Sequence, residues 1–435
     1  MPVAPVSRPG PRTGGTSPER AASPRLCILT QYWPPELGAP QGRLSELGER
    51  LIDLGWQVEV LTALPNYPTG RIFDGYARAR VTVETVGRIR TARVPLLPSQ
   101  RGFVRRLICY LSFAGTSAAL GPRLCARPEL LWVESPPLFI GLAARVLTRR
   151  WRCPYVFNVS DLWPESAVRL GMVGRGTLTH HLAERYELTL YRGAAGITAQ
   201  SLEIIGSVRA RVPNVPTELV TNGVDTTRFG RHLADDWARA LIGPEDGPVA
   251  IYAGLFGHAQ GLEQILALAA SLPPELPGRF VLVGDGPLRE ALAQRITAER
   301  IPRVRLLPPV SRDRVPALLA AADIAIVPLG ARLPGAVPSK IYEAMASQLP
   351  VLLVADGEAA DRIEQAGCGL TSSPGDDEAL RANFERLARD PDLRARLGLA
   401  GRHAAATIYD RTAIARRLDD FLRSCLQSGS ARQVR

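Results

Sequence analysis

The strongest constraint in this sequence is an alternation that recurs along most of its length: a short apolar run, a turn rich in glycine or proline, then apolar residues at helical spacing. It opens with LCILTQYW (26–33), followed by a loop (34–41), a helix carrying Leu44, Leu47, Leu51 and Leu54, and a second apolar run, VEVLTAL (58–64). Strand, loop, helix, strand is a βαβ unit, which implies a parallel sheet. Further strands read at 88–97, 130–135, 154–163 and 196–201, with helical stretches between most of them, so the sheet is doubly wound. The pattern halts near LVTNGVDTTRF (219–229), read as a strand that breaks at Asn222-Gly223, and restarts at VAIYAGLFGHAQGLEQILALAA (249–270). Residues 280–292, 304–329 and 351–356 continue it. A chain of 435 residues is long enough for two such domains, each with its own core. The expected division is a disordered tail at 1–24, a first domain at 25–225, a second at 226–410, and a closing amphipathic helix and tail at 411–435, the helix itself read over 409–426.

Composition excludes several partners. Residues 1–24 are rich in Pro, Gly, Ser and Arg and have no apolar core, so they read as neither a signal peptide nor a membrane span. The six cysteines are scattered without a CxxC pair, which suits buried thiols in a reducing cytoplasm. His180-His181 is the sole close histidine pair, and adjacent helical residues point apart, which argues against zinc. A net charge of +11 attracts something anionic. No aromatic-interleaved basic platform, finger or recognition helix is present, so nucleic acid is not the expected partner. The segment 101–124 opens on Arg101, Arg105 and Arg106 and then runs apolar for one helix length. It reads equally as a helix lying in a membrane interface and as an ordinary buried helix with a basic first turn.

One residue breaks the compositional rule. Lys340, in VPSKIYEAM (337–345), is the single lysine among 53 basic residues, so a plain positive charge elsewhere is always an arginine. An ammonium differs from a guanidinium in reach and geometry, which points to a site where arginine does not fit, although chance survival on a solvated face is the alternative. Ser339 reads as the helix N-cap, Lys340 lies in the first turn and Glu343 shares its face; together they form an expected phosphate site. Gly254, Gly257, Gly261, Gly284 and Gly286 fall at strand-to-helix turns, where backbone amides can approach phosphate. None forms GxGxxG, and no Walker A loop is present. In the first domain, Gly38 and Ala39 are placed for backbone approach to a ligand, or form a simple tight turn. The loop LPNYPTGRIFDGY (64–76), with Tyr67, is long enough to line a cleft. Asp161, with Glu165 beyond it, follows a central strand and reads either as a catalytic carboxylate beside a reacting sugar or as a turn or N-cap residue.

The ordered set WPPELGA (33–39), TNGVD (221–225), YAG with GLE (252–254, 261–263), VGDGP (283–287), ADIAIVPL (322–329) and PSKIYEAMA (338–346) resembles the family 4 retaining glycosyltransferases of the GT-B fold, over nearly the whole chain from residue 25. LPNYPTG, SDLWPES and AQGLE resemble the subgroup that builds bacterial capsule, O-antigen or colanic-acid units on a lipid carrier. The resemblance implies an α/β protein with two Rossmann-like domains facing across a cleft. It implies a nucleotide-sugar donor, UDP-linked, a lipid-linked acceptor at the cytoplasmic membrane face, and neither cofactor nor metal. Lys340 and the helix start after Ser339 would hold the donor diphosphate, Glu343 the ribose, and Gly254, Gly257, Asp285 and Gly286 the nucleotide pocket, with Gly38 facing them. Asp161 would stand beside the reacting sugar, while Tyr67, Arg101, Arg105 and Arg106 would face the acceptor or membrane. Three departures stand out. Gly335 occupies the position of a sugar-contacting glutamate, His258 is the only basic group where a basic pair is common, and Gln348 replaces a C-cap glycine. A sugar-nucleotide epimerase, a phosphorylase or a non-catalytic nucleotide-sugar-binding protein are the competing readings.

Overall fold

The computed structural model describes residues 23–433 apart from 37, 78, 100–101, 170–173, 244–246 and 332–334. Arg101 and most of the N-terminal tail therefore lie outside the described residues. The first sheet comprises β1 (Arg25–Leu29), β2 (Gln57–Ala63), β3 (Thr82–Val86), β4 (Ile89–Val94), β5 (Leu130–Ser135), β6 (Tyr155–Val159), β7 (Gly196–Ala199) and β8 (Thr217–Leu219). Their spatial order is β3-β4-β2-β1-β5-β6-β7-β8, parallel except for the β3–β4 hairpin. Helices α1 (Ala39–Asp53), α2 (Phe103–Leu124), α3 (Ile140–Trp151), α4 (Glu165–Arg169), α5 (Leu178–Gly193) and α6 (Leu202–Arg211) connect the strands. Apolar runs such as LLWV in β5 are buried on both faces, as a parallel sheet between helix layers requires.

The second sheet has the order β11-β10-β9-β12-β13-β14, all parallel. Its strands are β9 (Val249–Leu255), β10 (Arg279–Asp285), β11 (Val304–Leu307), β12 (Ile324–Pro328), β13 (Val351–Val354) and β14 (Gly369–Ser372). Around it lie α7 (Asp236–Ile242), α8 (Leu262–Ser271), α9 (Arg289–Ala298), α10 (Val315–Ala321), α11 (Lys340–Ala346), α12 (Glu358–Ala366), α13 (Asp377–Arg389) and α14 (Pro391–Thr407). A doubly wound sheet in each half is the expected architecture.

Several local expectations fail for identifiable reasons. The strand read at 219–229 is instead Thr217–Leu219, and the following residues carry the chain out of the first sheet. The β3 and β14 edge strands go unread because each is only half-buried and so carries no continuous apolar run. The closing helix α15 (Arg411–Gln433) is longer than 409–426, and it belongs to the first domain's packing. Its Leu418, Leu422 and Cys425 are buried with Leu26, Ile28 and Trp132, while Trp56 Nε1 donates to Asp419 at 2.6 Å. The two passages of chain between the sheets run side by side, with the Val224 amide donating to the Tyr409 carbonyl and the Arg411 amide to the Val224 carbonyl, both at 2.9 Å. All six cysteines are buried and free.

The 101–124 segment folds as α2, with Cys109, Phe113, Ala114 and Ser117 buried on the core side. Val104, Ile108 and Leu111 lie on the opposite face, exposed. No helix among the described residues is long and apolar enough to cross a membrane.

Candidate active site

Helix α11 begins at Lys340, so the lysine sits in the first turn as its sequence context implies. Ser339 does not cap it: the residue has helical dihedrals (φ −61°, ψ −23°) and its side chain accepts nothing from the helix. The Lys340 side chain instead runs over the end of β9. A Cβ placed on Gly254 would lie 2.4 Å from Lys340 Cε and 2.6 Å from Nζ, so the glycine is the slot that admits the lysine stem. The ammonium stands 5.2 Å from the Tyr252 ring centroid. Among the described residues it has no hydrogen-bond acceptor, and the Glu343 carboxylate one turn on has no donor. Burial lowers the Lys340 pKa, and Glu343 partly restores it. Burial raises that of Glu343, against the opposing pull of Lys340, Arg312 and Arg411. Two half-buried charges of opposite sign without hydrogen-bond partners are costly to keep unless a ligand completes them.

The glycines around this pair have different causes. A Cβ on Gly284 would come 1.8 Å from the Gly254 carbonyl oxygen, and one on Gly286 2.5 Å from that of Phe256. The packing of the β9 and β10 turns on each other therefore requires both to be glycine. Gly257 has only the Gln260 side chain in its way, and Gly38, whose φ of 170° is ordinary extended backbone, only that of Gln41. Asp285 is exposed, and its Oδ1 accepts from the Gly286 amide at 2.8 Å.

The first domain supplies the other wall. Glu36 accepts from the amides of Trp33 (3.1 Å), Asn66 (2.7 Å) and Tyr67 (2.8 Å), which ties the WPPELG and LPNYPTG loops into one unit. Tyr67 packs edge-on to Tyr32 at 5.4 Å. Arg106 is half-buried, with Nη2 3.4 Å from the Tyr110 hydroxyl, so it faces this aromatic cluster, whereas Arg105 is exposed.

Asp161 is half-buried immediately after β6, above a polar network that sequence reasoning missed. Glu134 Oε1 accepts from Arg43 Nη2 at 2.7 Å and from Ser160 Oγ at 2.6 Å, and its Oε2 accepts from Asn158 Nδ2 at 2.7 Å. Gln200 accepts from Arg43 Nη1 at 3.1 Å and donates to the Ser160 carbonyl at 2.7 Å. Burial raises the Glu134 pKa, while Arg43, Ser160 and Asn158 counter it. The signal was an acidic residue inside an otherwise apolar strand, LLWVES.

Across the cleft, Glu46 of α1 receives Arg312 at 3.2 Å and is also paired with Arg411. The Arg312 guanidinium lies against Gly42, where a Cβ would be 2.8 Å from its Nη1. Arg312 of the second domain and Arg411 at the start of α15 thus supply positive charge beside Glu343, while His258 is exposed on its loop. Gly335 is occupied by structure rather than vacant: its φ is +70°, its amide donates to Glu203 Oε2 at 2.7 Å, and a Cβ would lie 2.8 Å from Ser201 Oγ. Gln348 adopts the left-handed conformation, φ 59°, in place of the expected glycine. In the first two turns of α5, ligand atoms of His180, His181 and Glu184 lie within 4.8 Å of one another, closer than adjacent helical positions suggested.

Two family models match the chain: "Glycosyl transferase 4-like domain" over residues 38–223 and "Glycosyl transferases group 1" over 234–404. The D-inositol 3-phosphate glycosyltransferase of Salinispora tropica is 30% identical over 431 residues, 92% of this chain and 86% of the relative. The putative colanic acid biosynthesis glycosyl transferase WcaI of Escherichia coli is 28% identical over 316 residues, 70% of this chain and 76% of the relative. Among solved structures, sucrose-phosphate synthase from Thermosynechococcus elongatus superposes with a TM-score of 0.73 at 20% identity, covering 93% of this chain and all of that one (100%). Anabaena HepE in complex with UDP-glucose gives 0.67 at 17% identity, covering 92% and 99%. At these identities the structural likeness speaks for the fold alone, while the family models and the Salinispora relative speak for descent. The chain belongs to the family 4-type glycosyltransferases of the GT-B fold.

Proposed function

We propose that the protein transfers a hexosyl or N-acetylhexosaminyl group from a UDP-sugar to a lipid-linked saccharide in surface polysaccharide synthesis. The observation that carries the donor half is Lys340 seated in the Gly254 slot, with Glu343 one turn on. The donor's diphosphate gains negative charge as the bond from anomeric carbon to phosphate oxygen breaks, and an ammonium already aimed at it stabilises the transition state more than the ground state. Glu343, on the same face, accepts from the ribose hydroxyls. Arg312, beside Glu343 and Gly42, adds the second positive charge that the His258 loop lacks. As the acceptor oxygen bonds the anomeric carbon from the face the nucleoside diphosphate leaves, its proton passes to the departing phosphate oxygen, and Asp161 stabilises the positive charge developing on the sugar ring. Retention of anomeric configuration is carried by the family likeness. The nucleotide sugar is a substrate, and the reading calls on no metal or cofactor.

The acceptor half rests on the first domain. Tyr67, Tyr32 and Arg106 cluster beside the cleft, and α2 presents Val104, Ile108 and Leu111 outward next to Arg105, an apolar stripe with a basic flank suited to an anionic membrane surface. We place the protein on the inner face of the cell membrane, peripherally bound. The relative named for colanic acid biosynthesis supports a role in surface polysaccharide synthesis, whereas the relative named a D-inositol 3-phosphate glycosyltransferase supports a small soluble acceptor. Gly335 favours a second reading, a non-catalytic nucleotide-sugar binder, because no side chain is there to contact the sugar. Incubation with UDP- and GDP-sugars decides between them: slow release of nucleoside diphosphate, accelerated by membrane extracts containing lipid-linked saccharides, is expected. Measurable donor binding with no release from any donor would favour the binder.

A further inference from the structure

Helix α12 of the second domain reaches into the first. Glu358, its first residue, accepts from the amides of Leu202 and Glu203 at 2.8 and 2.9 Å, so both of its carboxylate oxygens cap the N-terminus of α6. Arg362, one turn on, donates Nε to Glu358 at 3.1 Å, Nη2 to the Gln200 carbonyl at 3.0 Å and Nη1 to the Tyr342 hydroxyl. Both side chains are buried, 8% and 6% exposed. The Gly335 amide bound to Glu203 makes a further bridge from the second domain to the same helix end. These groups join two parts of the site. Tyr342 lies between Lys340 and Glu343 on α11, and Gln200 belongs to the Arg43–Glu134–Ser160 network beneath Asp161.

We propose that Glu358 and Arg362 form an interdomain clasp whose closure sets the donor-binding helix α11 in register with the Asp161 loop, which makes Arg362 a positioning residue for transfer. The chain passes between the domains only through the paired segments at Val224 and Asp410, which supply a pivot. Parting the domains about that pivot breaks the bonds from Glu358 to Leu202 and Glu203 and from Arg362 to Gln200. It leaves intact the Glu358–Arg362 pair, which lies within α12. The amides of α6 and the Glu358 carboxylate satisfy one another only in the closed form, so the bonds bias the protein toward closure. Because Arg362 holds the Tyr342 hydroxyl and the Gln200 carbonyl at once, the orientation of α11 depends on the first domain being docked.

The test uses the full-length protein and four variants. Leu202→Pro is the most selective: Leu202 is the first residue of α6, where proline is tolerated, its side chain is 60% exposed, and Ser201 before it is already extended (φ −138°, ψ 151°). It deletes one bond to Glu358 without touching α11 or α12. Glu358→Gln and Arg362→Met remove the charged partners, and Arg362→Lys is the conservative control. Small-angle scattering with and without UDP, thermal melts, UDP affinity and transfer kinetics are measured on each. The clasp predicts a larger radius of gyration for Leu202→Pro with an unchanged melting temperature, UDP affinity within about threefold of wild type, and kcat lower by about tenfold, with partial rescue in Arg362→Lys relative to Arg362→Met. Wild-type dimensions and kcat in Leu202→Pro, or a loss confined to melting temperature in the other variants, would overturn it. The kinetic consequence rests on the transferase reading, but the scattering and UDP-affinity arms do not, so an inactive wild type would leave the clasp itself open to refutation.

Discussion

Two charged clusters face the cleft, and they are built on opposite principles. On the first domain, Glu134, Arg43 and Asn158 are buried and Ser160 and Gln200 half-buried, and their polar atoms bond largely to one another, Arg43 Nε being the exception without a partner. On the second, Lys340 and Glu343 interact through space and, among the described residues, neither has a hydrogen-bond partner. A satisfied network can hold a loop but has little capacity left for a ligand. An unsatisfied pair beside a glycine slot is poorly stabilised alone and is completed by binding. The contrast assigns support to the first cluster and recognition to the second.

Perturbing the satisfied cluster is expected to have the largest effect, and on stability. Glu134→Gln leaves the buried Arg43 guanidinium without its carboxylate, which costs about 3–5 kcal/mol, read in urea or thermal unfolding. UDP affinity should change little. A large loss of UDP affinity in a folded Glu134→Gln protein would erase the distinction between the clusters.

Next comes the unsatisfied cluster, where the effect should fall on binding and rate. Hydrogen bonds to charged groups are worth about 1.5–3 kcal/mol, so Lys340→Ala should cost tenfold or more in kcat/KM, with the melting temperature held. Lys340→Arg should be nearly as damaging, because the planar guanidinium has to pass the slot over Gly254.

The pH dependence sharpens the comparison further. Burial depresses the Lys340 pKa, so the ammonium is lost, and UDP affinity with it, at a pH below the ordinary lysine range. Glu343 favours the charged form of Lys340. Glu343→Gln should therefore move the alkaline limb of UDP binding to still lower pH, which calorimetry across a pH series would detect. An unmoved limb would mean that the two groups are not coupled. The smallest effect lies outside both clusters: Gln348→Gly relieves a left-handed residue and should add about 0.5–1 kcal/mol of stability without altering UDP binding.

Much of the fold was legible because parallel strands buried on both faces announce themselves as apolar runs between glycine turns. Half-polar edge strands such as β3 do not. The Lys340 helix start was readable from one anomalous residue. What could not be read were long-range partnerships. Nothing local says that Glu36 binds the amides of Asn66 and Tyr67, that Arg312 rests on Gly42, or that Glu358 caps a helix 156 residues earlier. The glycines illustrate both sides: their positions at the strand ends were evident, but only packing reveals that Gly254 accommodates a lysine while Gly284 accommodates a neighbouring carbonyl.

Gly254→Ala tests the central claim most directly, since it alters no charge and touches the lysine alone among the proposed ligand groups. The added methyl must displace Lys340 Cε or Nζ from its place over Tyr252. Calorimetric titration of UDP into the folded variant is predicted to show affinity at least about tenfold weaker than wild type, matching Lys340→Ala. Wild-type affinity in Gly254→Ala, with Lys340→Ala also unaffected, would contradict the assignment of this lysine to the donor diphosphate.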